Sequence, residues 1–230
     1  MSFGQNLQFL RKMRNRMTQE DLAERLGVSR QTVSKWELDT AYPEMDKLIE
    51  ICRLFSCSMD EVVRGDMNVY DESYSDIRIE EVDAFRYVRY AVVSREPEED
   101  AICHMQRMAE RIGITQPQII GWDFPFLSQE QINVFNMHGY AAALILPEDF
   151  SAERDELEIV SQKKQKYIAI TIKNYTDAPF HTIPNAYKVL MTHIDVNEIP
   201  HKEDKRIISC FEKEYVVDGT PYMDVYVAIE

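Results

Sequence analysis

Between Thr18 and Trp36 the chain reads Thr-Gln-Glu-Asp-Leu-Ala-Glu-Arg-Leu-Gly-Val-Ser-Arg-Gln-Thr-Val-Ser-Lys-Trp, two short helical stretches broken by one glycine. Few segments constrain a fold so tightly. Ala23 is small where two helices must cross closely, Gly27 tolerates the positive φ of a tight turn, and Val33 locks the second helix onto the first. Thr18 with Asp21 three residues on fits a capping box, and Ser29 suits the N-cap of the second helix. Phe3, Leu7, Leu10 and Met13 give a helical stripe upstream; Leu48, Ile51, Leu54 and Phe55 give another downstream. The pattern predicts five short helices within about 65 residues, the second and third forming the turn.

Such a turn holds its second helix outward, the geometry that enters a DNA major groove. With Val33 and Trp36 facing inward, Arg30, Gln31, Thr32, Ser34 and Lys35 are left to reach out or sideways. Gln31 suits a bidentate contact to adenine, and the Thr32 methyl suits a thymine methyl. Gln19 opens the preceding helix, where free backbone N–H groups add to the attraction for a phosphate. Each of these is otherwise an ordinary exposed polar residue. The run from Met17 to Glu37, ending at Tyr42-Pro43, resembles the lambda-repressor-like (xenobiotic-response-element) family, and the resemblance covers residues 3–63. It implies a DNA-contact surface at Gln19, Gln31, Thr32, Ser34 and Lys35. Glu37-Leu-Asp-Thr40 departs from the family's Glu-Asn-Gly and leaves the shape of the following loop open.

Net charge taken over the whole chain opposes DNA, since it carries 26 basic and 40 acidic residues, a net of −14. The excess is localised. Residues 1–65 hold ten basic and ten acidic residues, whereas 66–230 hold 16 and 30. Within the first 36 residues the balance is seven to three in favour of basic side chains. One copy should therefore bind modestly and in a salt-dependent way, and a homodimer presenting two recognition helices is expected. The four cysteines, Cys52, Cys57, Cys103 and Cys210, are scattered, as are the histidines, which argues for reduced thiols and against a metal site. No Gly-rich phosphate loop is present, and no cofactor is expected. The absence of a long apolar run or a signal-peptide start predicts a cytoplasmic chain with no membrane partner.

Residues 66–79 are polar and acidic and read as a linker. Beyond them the pattern is strand over Val82–Ser94, helix over Pro97–Gly113, then strands over Ile119–Phe126 and Tyr140–Leu146. The order recurs: a strand at Lys166–Lys173, a helix at Thr182–Ile194 with Pro184 in its first turn, and strands at Ile207–Val217 and Tyr222–Ile229 around Asp218-Gly219. The predicted architecture is multidomain: an all-α five-helix helix-turn-helix domain over 1–65, then an α+β domain over 80–230 of duplicated strand-helix-strand-strand units.

Seventeen of the 24 aromatic residues lie in 80–230, which points to an aromatic-lined cleft between the two halves. In Cys210-Phe-Glu-Lys-Glu-Tyr-Val216, alternation puts Glu212 and Glu214 on one face and Phe211, Lys213 and Tyr215 on the other. An acidic face lining an aromatic cleft would select cationic or polar aromatic ligands; otherwise it is a solvated charged face. Phe85-Arg-Tyr-Val-Arg-Tyr, Gly139-Tyr-Ala-Ala, Phe180-His-Thr-Ile-Pro-Asn-Ala-Tyr187 and Phe211-Glu-Lys-Glu-Tyr followed by Met223-Asp-Val-Tyr-Val-Ala-Ile229 resemble, in order and spacing, the gyrase-inhibitor-like domain, the effector-binding domain of many multidrug-responsive and AraC-type regulators. That resemblance implies a central small-molecule cleft and a ligand-contacting glutamate in the penultimate strand. Glu212 matches this position best, with Glu214 its rival. Trp122, Phe124, Tyr140, Tyr167 and Tyr187 are the implied aromatic walls. The leading expectation is a ligand-responsive transcriptional regulator. Two rivals stand beside it: a hydrolase using a cleft glutamate as general base, and an acidic protein-interaction module.

Overall fold

The computed structural model describes residues 2–67, 73–124, 127–151, 157–202, 204 and 206–230. The chain divides into two compact units, one of residues 1–74 with 178–201 and 230, the other of 75–177 with 202–229.

The first unit begins with five short helices: α1 (Phe3–Met13), α2 (Gln19–Leu26), α3 (Arg30–Glu37), α4 (Met45–Leu54) and α5 (Met59–Arg64). Three of them start at reciprocal capping boxes, Ser2 with Gln5, Thr18 with Asp21 and Ser58 with Glu61, which satisfy the otherwise orphaned first-turn N–H groups. Gly27 ends α2 at φ 65°, where a side chain would be strained, and its turn is closed by Val28 N–H donating to Ala23 O. Leu7, Leu10, Leu22, Val33, Ile51, Phe55 and Val62 fill one core, so the predicted stripes all turn inward. The helix α8 (Pro179–Val196) belongs to this unit as well, and Val196 shares the core of α1 and α3. Its start lies earlier than the predicted Thr182, because Pro179 occupies the first turn, where a missing N–H is harmless; Pro184 falls inside the helix.

The second unit is built on one eight-stranded sheet in the order β1-β6-β8-β7-β3-β4-β2-β5. Its strands are β1 (Arg78–Val82), β2 (Phe85–Ser94), β3 (Gln118–Asp123), β4 (His138–Leu146), β5 (Val160–Gln162), β6 (Gln165–Lys173), β7 (Cys210–Val217) and β8 (Thr220–Ala228). All pairings are antiparallel. The duplication is visible in this order. From the edges inward, β2-β4-β3 repeats β6-β8-β7, and the repeats meet where β3 pairs with β7. The hairpin β7–β8 turns at Asp218-Gly219, both at positive φ, as expected. The helix α6 (Pro97–Arg111) lays Ala101, Met105 and Ala109 on the β2–β4 side, with His104 stacked on Tyr90 at 3.8 Å between ring centroids.

Some details depart from the pattern. The stretch read as a linker holds Met67 in the helical core and, at its far end, the first residues of β1; residues 68–72 lie outside the described set. The expected strand over Ile119–Phe126 ends at Asp123, and residues 125 and 126 are likewise outside it. A short helix, α7 (Gln129–Asn133), carries its own Ser128 capping box, a local signal that the strand-rich surroundings masked.

Candidate functional site

On the helical unit, α3 projects from its Ser29 cap, whose hydroxyl accepts from Thr32 N–H at 3.1 Å. Arg30, Gln31 and Lys35 are exposed, and together with the half-buried Ser34 they line one open groove. The Thr32 hydroxyl is engaged with Ser29 at 2.9 Å, leaving its methyl as the free surface. Gln19 has a second attachment. Its amide donates to Glu37 Oε2 at 2.8 Å, and Glu37 is itself buried against Arg11, with Arg11 Nε at 2.6 Å from Oε1. Gln19 thus spends one of its two amide hydrogens inside the unit. The loop after α3 closes through Asp39, at φ 54°, whose Oδ1 accepts from Gly4 N–H at 2.8 Å.

On the sheet unit, the two repeats meet at a single residue pair, Gly121 opposite Glu212. Glu212 is 7% exposed, and the hydroxyl of Tyr140, 4% exposed, donates to its Oε2 at 3.1 Å. A Cβ on Gly121 would run into the Tyr140 ring, so the glycine creates the space in which Tyr140 reaches the carboxylate. Burial, followed by the charges of Glu212 and Glu98, pushes the Tyr140 hydroxyl far above its ordinary value. Glu98, in the first turn of α6, is pushed up by burial and by Glu214 and Asp123. Asp123 is raised by burial, against the opposing effect of His138. Tyr175 is raised by burial and by its hydrogen bond to Glu214. Glu98 thus lies close enough to Asp123, Glu214 and Tyr140 for their charges to act on one another, and of the four carboxylates at the seam only Glu212 is buried.

The sheet divides the expected ligand residues. Glu212, Glu214 and Tyr140 share the α6 side, Glu212 buried and Glu214 exposed. Trp122 and Tyr167 belong to a cluster on the opposite face with Tyr87, Phe211 and Tyr226. There Tyr167 is fully buried, meets Phe211 edge-on at 5.2 Å, and donates its hydroxyl to Ile208 O at 2.8 Å. Phe124 packs beside Gly139. Tyr187, half-buried on α8, lies in the helical unit. Sequence reasoning missed Glu98 and Asp123, and also Asp224, a second buried carboxylate held by Arg78 at 3.1 Å, Thr171 and the hydroxyls of Tyr215 and Tyr226. Among the described residues no cluster of His, Cys, Asp and Glu fits a metal ion, and no helix is long and apolar enough to cross a membrane.

Residues 7–62 match the helix-turn-helix family model. Over 66 residues the chain is 47% identical to the HTH-type transcriptional activator BcrR of Enterococcus faecalis, covering 29% of this chain and 32% of BcrR. It is 32% identical over 66 residues to the HTH-type transcriptional regulator YqaE of Bacillus subtilis, covering 29% of this chain and 56% of YqaE. The chain thus matches about a third and just over half of the lengths of these relatives. Among solved structures, an EcmrR–DNA complex is similar over 93% of this chain and 85% of that one, at 13% identity and a TM-score of 0.49. The fold and the match together define a protein with an N-terminal helix-turn-helix DNA-binding domain followed by an α+β domain.

Proposed function

We propose that the chain is a cytoplasmic, ligand-responsive transcriptional regulator. It reads operator DNA as a homodimer through α3 and senses a small aromatic or cationic molecule in its α+β domain. The DNA contacts are Arg30, Gln31, Thr32, Ser34 and Lys35, with Gln19 at a phosphate. What supports this assignment is the exposure of one polar face on a capped helix whose other face is locked in the core. Replacing Gln31 with Ala should cost about 1–3 kcal/mol on a duplex selected from a random pool and relax one base position. Unchanged affinity and unchanged preference would remove Gln31 from the interface.

The observation that carries the effector reading is the buried Glu212 carboxylate, bonded to Tyr140 and surrounded by Glu98, Asp123 and Glu214. A hydrophobic cation entering there would exchange like-charge crowding for ion pairing. Calorimetric titration with tetraphenylphosphonium tests it. Binding should weaken at least ten-fold in Glu212→Gln; equal binding by both proteins would place the ligand elsewhere.

A further inference from the structure

The segment Ala178–His201 is placed unusually in the chain. The residues on either side of it belong to the sheet unit, yet the segment itself is part of the helical unit. Its attachments are specific. Val196 is 1% exposed in the core that holds Leu7, Leu10 and Trp36. Asn197 Nδ2 donates to Met13 O at 3.0 Å, Arg14 pairs with Glu198 at 3.1 Å, Lys188 Nζ donates to Asp66 O at 2.7 Å, and Tyr74 OH donates to Thr182 O at 3.0 Å.

The attachment is also imperfect. The buried side-chain polar atoms without a hydrogen-bond partner among the described residues are His193 Nδ1 and Asn197 Oδ1, one turn apart on this segment. A buried polar atom without a partner is destabilising, so the docking is held below its full strength. Non-glycine residues at positive φ stand near both ends, Asn174 at 53° and Glu198 at 55°, and Pro184, which has no backbone N–H to donate, lies inside the helix between them. The segment is thus packed into one unit, carries two buried polar atoms that lack a partner among the described residues, and continues at both ends into the other.

We propose that Ala178–His201 is the relay through which occupancy of the Glu212 site changes the affinity of the helix-turn-helix domain for DNA, an inference that rests on the effector reading above. Loosening this segment alters the packing behind α1 and, through the shared core, the setting of α3. The relay acts through residues that touch neither DNA nor ligand.

A double-mutant cycle on the full chain tests it, with operator affinity as the readout. Glu212→Gln mimics a neutralised site, and Asn197→Ala breaks the bond to Met13. Glu212→Gln should shift operator affinity at least three-fold in the wild-type background and less than 1.5-fold in Asn197→Ala, a non-additivity expected only of coupled sites. Should Asn197→Ala fail to fold, Lys188→Met removes the exposed bond to Asp66 O and should blunt the response in the same way. Additive effects, or no effect of Glu212→Gln on DNA affinity, overturn the relay. The tetraphenylphosphonium titration is scored separately. A non-additive cycle in a chain that ignores the cation keeps the relay and loses the effector reading, whereas cation binding with an additive cycle does the reverse.

Discussion

Glu212 stands directly across from Gly121 where β7 and β3 join, and the Tyr140 hydroxyl closes on its carboxylate at 3.1 Å. One residue pair thus joins the repeats and lets two side chains, Tyr140 and Glu212, from different repeats meet. Tyr140→Phe should leave a buried carboxylate oxygen short of a donor and cost about 1–3 kcal/mol in urea unfolding. Gly121→Ala should cost a similar 1–3 kcal/mol by displacing the Tyr140 ring. In the double variant the costs should not add, because both act on one contact. Additivity within about 0.5 kcal/mol would show that glycine and tyrosine act independently.

The acidic seam carries a definite pH signature. Glu98 and Asp123 hold their protons above their ordinary values of 4.5 and 3.8 in the folded chain. A raised folded value favours folding below the ordinary carboxylate range, and that advantage is lost as pH rises through the folded values. Relative to Glu98→Gln/Asp123→Asn, the wild type should therefore lose stability on going up from about pH 4 and level off above the raised values. Parallel stability curves for the two proteins would contradict the raised values.

In the helical unit, Arg11 and Glu37 form a buried, two-bond pair that also holds Gln19. Arg11→Ala would leave the Glu37 charge buried and unpaired, a cost of about 3–5 kcal/mol. Arg11→Met, which fills the space, should be no better, since the carboxylate remains. Glu37→Gln should also be destabilising, because it keeps an acceptor but leaves the Arg11 guanidinium buried without its counter-charge. Chemical denaturation followed by Trp36 fluorescence measures all three; an Arg11→Ala protein of wild-type stability would mean that the pair contributes nothing.

Asp39 separates two effects at one site. Its φ of 54° costs strain that glycine would relieve, and its carboxylate accepts from Gly4 N–H. Asp39→Gly loses the bond but gains the conformation, so stability should change by less than about 1 kcal/mol. Asp39→Ala keeps the strain and loses the bond, and should cost about 1–2 kcal/mol in thermal unfolding. The reverse ranking would show that the bond, not the backbone, governs the loop.

Much of this was legible in the chain because much of it is local. The cap at Thr18, the turn at Gly27 and the lock at Val33 act within a few residues, and the structure places all three as the spacing required. The duplication was legible through its repeated order of elements. What escaped was decided by long-range pairing. Glu98 and Asp123 join the seam only because β3 meets β7, which no local pattern encodes. Phe211 and Glu212 are neighbours in sequence, but alternation sends them to opposite faces, so the aromatic cluster and the buried carboxylate lie on different sides of the sheet. Likewise the pattern over Thr182–Ile194 predicts a helix without saying which core it enters.

The central claim is that ligand and operator are coupled, and affinity titrations on the full-length chain test it most directly. Operator affinity measured with and without saturating tetraphenylphosphonium should differ at least five-fold, and cation affinity should differ by the same factor with and without DNA. Two ligands that each bind tightly and leave the other's affinity unchanged within two-fold would contradict it.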